Sequence, residues 1–149
     1  MPSESDLIKL YSGKILKMAA EPIYRERLSE PDGSVTKRSP LCGSAITVDL
    51  KVESGVITHY GQEVRACALG QASSTIIGKA IVGRSLTEVQ RAYNELSDML
   101  KNEGPTPGRP FEELYMLKPA SEYKNRHASI LLAIEATLAA FQEIEENDR

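Results

Sequence analysis

The chain has 149 residues, and its 18 lysines and arginines are outnumbered by 21 aspartates and glutamates, which gives a net charge of −3. It contains two phenylalanines, six tyrosines and no tryptophan. The acidity argues against a protein that binds nucleic-acid phosphates, and the scarcity of aromatic residues argues against one that stacks on single-stranded bases. No apolar run approaches the roughly 20 residues of a membrane-spanning helix, so we expect no membrane association.

A chain of this length fits one domain, residues 1–149, and we expect a flexible N-terminal end and a flexible acidic C-terminal end. The first ten residues resemble neither a secretory signal nor an Arg-rich transit peptide. We therefore expect a cytoplasmic protein. In that compartment its two cysteines, Cys42 and Cys67, are expected to be thiols rather than a structural disulfide.

The first third of the chain is predicted to form a helix and then a long loop. Apolar residues recur at helical spacing over residues 7–20, and Pro22 is expected to end this helix. Residues 21–44 are polar and rich in turn-forming residues, which predicts a long loop that leads to Cys42.

The pattern then changes to the two-residue period of a β-strand. Apolar and polar residues alternate over residues 45–52, and the following Glu53-Ser54-Gly55 predicts a tight hairpin turn. The return strand is expected to run from Val56 to about Ala66, with a bulge indicated at Gly61.

Helical patterns dominate the remainder of the chain. Small and apolar residues after Cys67 predict a helix that closes at Gly83. The clearest helix spans residues 85–101, where Ser85 and Glu88 form a capping box.

The C-terminal third is predicted to add a short helix at residues 111–116 and a long helix over about 125–144. One hairpin, with room for a third short strand, is therefore followed by helices. Strands segregated from helices indicate an α+β fold in which a small antiparallel sheet packs against a helical layer.

The two cysteines are expected at the same end of the sheet. Cys42 precedes the first hairpin strand and Cys67 ends the second, and these two ends of an antiparallel hairpin are adjacent. Cys67 also precedes a helix, whose N-terminal amides and dipole lower the pKa of a thiol. His127 opens the last helix in a basic segment that suits an anionic ligand. The residues alone leave open that the thiols are inert and buried and that His127 is a solvated helix cap.

Four segments together resemble the IscU/NifU/SufU family of iron–sulfur cluster assembly scaffolds. They are Pro40-Leu41-Cys42-Gly43, Cys67 with Ala72-Ser73-Ser74, Ile81-Val82-Gly83-Arg84-Ser85, and His127-Ala128-Ser129-Ile130-Leu131. The resemblance extends from Leu10 onward. It implies a non-enzymatic protein that assembles a [2Fe–2S] cluster on three cysteines, helped by an Asp and sometimes a His, and passes the cluster to recipient proteins.

The resemblance implies that Cys42, Cys67 and His127 are the metal ligands, because they match the first cysteine, the second cysteine and the histidine before the third. Ala128 replaces the third cysteine, and Ser44 replaces the Asp. The cargo implied is a [2Fe–2S] cluster or iron, with Zn²⁺ as a substitute. Two thiolates and one imidazole leave a ligand to be supplied by water, a second protomer, a small thiol or a partner.

The implied partners are a cysteine desulfurase and cluster-recipient proteins, without nucleic acid or membrane, and the chain could also form a homodimer. Two alternatives stay open. The first is a thiol redox or sulfur-relay protein that uses Cys42 and Cys67 as a disulfide pair. The second is a degenerate paralogue that carries no cluster and acts as a partner-binding module.

Overall fold

The computed structural model describes residues 13–21, 23–40 and 43–147. Residues 7–12 of the predicted first helix, Pro22 and Cys42 lie outside these ranges. The elements, in chain order, are α1 (Gly13–Ala20), β1 (Gly33–Arg38), β2 (Ala45–Glu53), β3 (Val56–Arg65), α2 (Ala68–Ile81), α3 (Leu86–Lys101), a 3₁₀ helix (Glu112–Glu122) and α4 (Lys124–Asn147). The predicted α+β class is confirmed.

The described strands form one antiparallel sheet in the order β1-β2-β3. Strand β1 lies inside the segment for which the sequence predicts a continuous loop, and that prediction is wrong for Gly33–Arg38. Its residues are Gly-Ser-Val-Thr-Lys-Arg, so Val35 is the only large apolar side chain in the strand. An edge strand with one such residue has no apolar alternation to reveal it.

The hairpin between β2 and β3 turns at Ser54 and Gly55, which both have positive φ values, 51° and 79°. This is the backbone of a type I′ turn, which matches the twist of the two strands. The bulge lies at Thr58 and not at Gly61, because Lys51 pairs with His59 while the next residue of β2 pairs with Ile57. The extra residue turns the side chain of Ile57 into the core.

Helices α2, α3 and α4 begin close to their predicted starts. Cys67 is the N-cap of α2, and Ser85 caps α3 in the predicted capping box with Glu88. The predicted short helix at 111–116 is instead a 3₁₀ helix that extends to Glu122 and contains Pro119. Helix α4 continues to Asn147.

Helix α4 is the centre of the core. It packs against β1 and β2 on one side and against α2 and α3 on the others. The largest buried side chains are mostly aliphatic, and they include Phe111, Phe141, Ile46, Leu50, Ile77 and Leu96. Among the described residues, no helix combines the length and apolarity that crossing a membrane would require.

A buried carboxylate fixes the chain segment that crosses the outward face of the sheet. Asp49 of β2 accepts hydrogen bonds from the Arg27 Nε (2.6 Å), the Ser34 hydroxyl (2.6 Å) and the Leu28 amide (3.0 Å). Burial alone would raise the pKa of Asp49, but these bonds and the charge of Arg27 outweigh it and hold the pKa below its usual value. Residues around Leu28 therefore cover this half of the outward face.

Candidate metal centre

Two chain segments meet at one end of the sheet. Arg38 and Arg65 are both register partners of Ala45, so β1, β2 and β3 share this end. The connection from β1 to β2 is closed by the Ser39 amide, which donates to the Ser44 carbonyl over 2.8 Å. Residues just before β2 and just after β3 therefore lie beside each other.

Cys67 is the partly exposed N-cap of α2 at this end. Partial burial alone would raise the pKa of its thiol. The Ser129 hydroxyl, the amides of Gly70 and Leu69 and the positive charge of Arg126 together outweigh burial and hold the pKa below its usual value. These are the surroundings that make a thiol reactive or metal-binding, because they favour the thiolate.

Ser129 links Cys67 to the β1–β2 connection. Its hydroxyl oxygen lies 3.5 Å from the Cys67 sulfur and 3.2 Å from the Ser44 hydroxyl oxygen. Ser129 and Ser44 are both buried. Gly70 permits this arrangement, because a Cβ atom at that position would collide with the Ser129 hydroxyl. These contacts join the β1–β2 connection, α4 and the N-cap of α2 at the thiol.

Cys42 lies outside the described residues, so its predicted proximity to Cys67 stays a prediction. Its neighbour Gly43 has a φ of 71°, and the Gly43 amide donates to the Ser39 carbonyl over 3.0 Å. The residue that follows Cys42 is therefore held in the β1–β2 connection, at the end of the sheet that carries Cys67.

His127 lies in the first turn of α4 and is only 6% exposed. Its Nε2 lies 3.0 Å from the Ala120 carbonyl oxygen and 3.1 Å from the Ser121 carbonyl oxygen. Because carbonyl oxygens only accept, Nε2 carries a proton and donates it. In the neutral ring, Nδ1 is then the nitrogen with a free lone pair.

His127 and Ser129 are two residues apart, so their side chains leave α4 about 200° apart. Ser129 is the residue that contacts Cys67, whereas His127 is anchored to the 3₁₀ helix. His127 and Ala128 line a cavity of about 410 Å³ that also receives Lys101 and Lys124. There is room beside Ala128 for a group from outside the chain.

Within residues 13–21, 23–40 and 43–147, no group of three or more His, Cys, Asp or Glu side chains is placed to hold a metal ion. The predicted ligand set includes Cys42, which falls in a gap between these ranges. Of that predicted set, Cys67 and His127 lie in the described part of the chain, and their role as metal ligands stays a prediction.

The hydroxyls of Ser44 and Ser129 have no role predicted from the sequence. A signal for Ser129 exists in the sequence, since small residues recur at helical spacing along α4 as Ser129, Ala133, Ala136 and Ala140. All four are fully buried. Such a stripe marks the side of a helix that approaches other elements closely, and a serine at its end is placed to bond across the contact.

Comparison with known proteins finds a matching domain family and related sequences. Residues 10–143 match the NifU-like N-terminal domain family. The chain is 26% identical over 135 residues to the iron–sulfur cluster assembly scaffold protein IscU of Thermotoga maritima, a match that covers 91% of this chain and 94% of the relative.

Solved structures resemble the fold over nearly its whole length. The crystal structure of a nitrogen-fixing NifU-like protein (N-terminal) from Brucella abortus has a TM-score of 0.93 and 39% identity, and the match covers 95% of this chain and 98% of that one. A scaffold protein for the SUF system from Fervidobacterium islandicum AW-1 has a TM-score of 0.81 over 89% and 96% of the two chains; at 16% identity it shows a shared fold alone. Because the family match spans most of its length, the chain belongs to the NifU-like N-terminal domain family.

Proposed function

We propose that this protein is an iron–sulfur cluster assembly scaffold that binds iron or a [2Fe–2S] cluster and passes it to recipient proteins. The observation that carries the proposal is Cys67, a partly exposed thiol at a helix N-cap whose pKa is lowered by Ser129, backbone amides and Arg126. Iron in clusters is held by thiolates, and this environment lowers the pKa of the Cys67 thiol and so shifts it toward the thiolate form.

The ligands in this proposal are Cys42, Cys67 and His127. His127 has one feature of a metal-binding histidine, which characteristically donates its other ring N–H to a carbonyl oxygen. Its side chain leaves α4 on the side away from Ser129, the residue that contacts Cys67, so its place in the set rests on the resemblance of this segment to the family. Here Nε2 donates to the carbonyls of Ala120 and Ser121, which leaves Nδ1 for the metal. The ring orientation is thus held by the protein before any metal binds.

The donor set is small for iron–sulfur chemistry. A [2Fe–2S] cluster ordinarily takes four protein ligands, and this set offers two thiolates and one imidazole. The cavity lined by His127 and Ala128 leaves room for water or a partner side chain beside the imidazole. Incomplete coordination suits a protein that gives its cargo away, since a partner ligand can enter without first displacing one from the scaffold.

Anaerobic reconstitution with ferrous iron and sulfide tests the proposal. We expect a visible chromophore and bound iron in the wild type, and loss of both in Cys42→Ser and in Cys67→Ser. Ser73→Ala is the matched control, because Ser73 is buried on α2 and bonds to the Ile130 carbonyl, away from the thiol.

Two results would contradict the scaffold proposal and separate its alternatives. A colourless protein that forms a Cys42–Cys67 disulfide under mild oxidation would indicate a thiol redox or sulfur-relay protein. A colourless protein that binds neither iron nor zinc by elemental analysis, and forms no disulfide, would indicate a partner-binding module.

A further inference from the structure

The outward face of the sheet is covered over one half and open over the other. Near Asp49 it is covered by the segment around Leu28. The open half consists of two rows across the three strands, and these residues line a cavity of about 280 Å³: Thr36, Thr47 and Glu63 in one row, and Arg38, Ala45 and Arg65 in the other. We call these six residues the arginine face.

The end row of the arginine face places two arginines on either side of a small residue. Arg38 and Arg65 are both register partners of Ala45, one from each neighbouring strand. Adjacent strands lie about 4.8 Å apart, so the two arginine Cα atoms are about 10 Å apart. Partners in a row point to the same face of a sheet, and the methyl group of Ala45 leaves the space between them open.

These two arginines are exposed, and neither forms an ion pair within the described part of the chain. The ion pairs found there use Arg27, Lys79, Arg84 and Arg91 as their cations. Glu63 is the one carboxylate on the arginine face, and it pairs with neither arginine. Arg38 and Arg65 thus form a local positive patch on a chain whose net charge is −3.

The arginine face adjoins the candidate metal centre. Arg65 ends β3 two residues before Cys67, and Arg38 ends β1 directly before the connection that leads to Ser44. A molecule held between the two arginines would therefore lie at the end of the sheet that presents the thiol. Molecules that give sulfur to the centre or take a cluster from it must approach this same end.

We propose that the arginine face docks an acidic segment of a protein that exchanges sulfur or a cluster with the metal centre. This rests on the proposed function. Arginine forks bind carboxylates through paired hydrogen bonds, and two forks whose Cα atoms lie about 10 Å apart can both reach side chains of one short acidic segment. A nucleic acid fits less well, because a row of two cations does not offset the repulsion between a polyanion and an acidic protein.

The test is an NMR titration of ¹⁵N-labelled, metal-free protein with a synthetic peptide of about 12 residues rich in glutamate. A peptide of equal length with glutamine in place of glutamate is the matched ligand control. We expect the glutamate peptide to shift the amides of the arginine face, and the shifts to weaken at about 0.5 M salt, where charges are screened within a few ångströms.

Variants then assign the binding to the arginines. In R38Q/R65Q we expect binding of the glutamate peptide to be about tenfold weaker. The control K51Q/K118Q removes the same charge from elsewhere on the surface and should bind as the wild type does. The salt series on the wild type needs no variant, so the test stands even if a double variant folds poorly.

Three outcomes would overturn the proposal. They are unchanged peptide binding in R38Q/R65Q, equal binding of the glutamine peptide, and inorganic phosphate binding to the arginine face as tightly as the glutamate peptide, which would indicate a site for small anions. Because no metal is present, failure here leaves the iron-binding test of the proposed function unaffected.

Discussion

Asp49 and Cys67 are two ionisable groups whose pKa values are lowered in the same way but with different consequences. At each, burial alone would raise the pKa, and local hydrogen bonds and a nearby arginine outweigh it and lower the pKa. Asp49 is fully buried, whereas Cys67 is partly exposed.

The difference lies in what the favoured anion can still do. Asp49 accepts bonds from Arg27, Ser34 and the Leu28 amide, and it holds two chain segments together. The Cys67 sulfur lies 3.5 Å from the Ser129 hydroxyl oxygen, and the residue is partly exposed to solvent. A stabilised anion with all its partners inside the fold is structural, and one with an open side is available for a ligand.

The largest effect on folding is expected at Asp49. In Asp49→Asn the charge-assisted bonds to Arg27 and Ser34 are lost or weakened, and we expect the free energy of unfolding to fall by about 2–3 kcal/mol. Urea denaturation measures this. The control is Glu63→Gln, an exposed change on the same face of the sheet, expected to cost less than about 0.5 kcal/mol. Equal free energies of unfolding in the two variants would show that the bonded Asp49 carboxylate does not stabilise the fold.

His127 tests the metal-binding side of the comparison, and its buried ring also anchors the 3₁₀ helix, so iron affinity and stability are measured together. We expect His127→Ala to bind ferrous iron about tenfold more weakly, because one of three protein ligands is lost. His59→Ala is the control, since His59 is exposed and its ring bonds only to Thr58 within the described residues. Anaerobic iron titration measures affinity, and urea unfolding confirms the folded state. Iron affinity that is equal in the two variants would exclude His127 as a ligand.

Ser129 tests why the pKa of the Cys67 thiol is lowered. Ser129→Ala removes a hydrogen bond that lowers the pKa of Cys67, so that pKa should rise. In a Cys42→Ser background, alkylation at pH 7 should then slow by about threefold, because less thiolate is present. The pH dependence of the alkylation rate measures the shift. Ser73→Ala should leave the curve in place, and a Ser129→Ala curve that coincides with it would contradict the account.

The smallest expected effect is a difference in how steeply the free energy of unfolding falls as the pH is lowered. The pKa of Asp49 is lower in the folded chain than in the unfolded chain, so its contribution to stability is present above the unfolded pKa and is lost as the pH falls through the folded pKa. Below about pH 4, wild-type stability should therefore fall more steeply than that of Asp49→Asn. Urea unfolding at a series of pH values checks this, and parallel curves would contradict it.

Local signals in the sequence predict much of the fold. The Ser54-Gly55 turn and the Ser85–Glu88 capping box are determined by residues a few positions apart, and both are confirmed. The place of Cys67 at a helix N-terminus follows in the same way, because a strand pattern changes there to a helical one. These features need no information from distant parts of the chain.

Features that depend on long-range contacts were not predictable. Strand β1 has only Val35 as a large apolar residue, and it forms because β2 offers it a register partner and α4 covers it. The bond from Ser129 to Ser44 joins residues 85 positions apart. The stripe of small residues along α4 marks Ser129 as a position of close contact, but it does not identify Ser44 and Cys67 as the residues contacted, so only the assembled fold reveals that link.

The central claim is that Cys67 and its neighbours hold iron through two thiolates and one imidazole. X-ray absorption at the iron edge, measured on anaerobic protein loaded with one ferrous ion and no sulfide, tests this directly. We expect two sulfur scatterers and one imidazole nitrogen around the iron, with one sulfur lost in Cys67→Ser. An iron shell of oxygen and nitrogen alone, unchanged in Cys67→Ser, would contradict the claim.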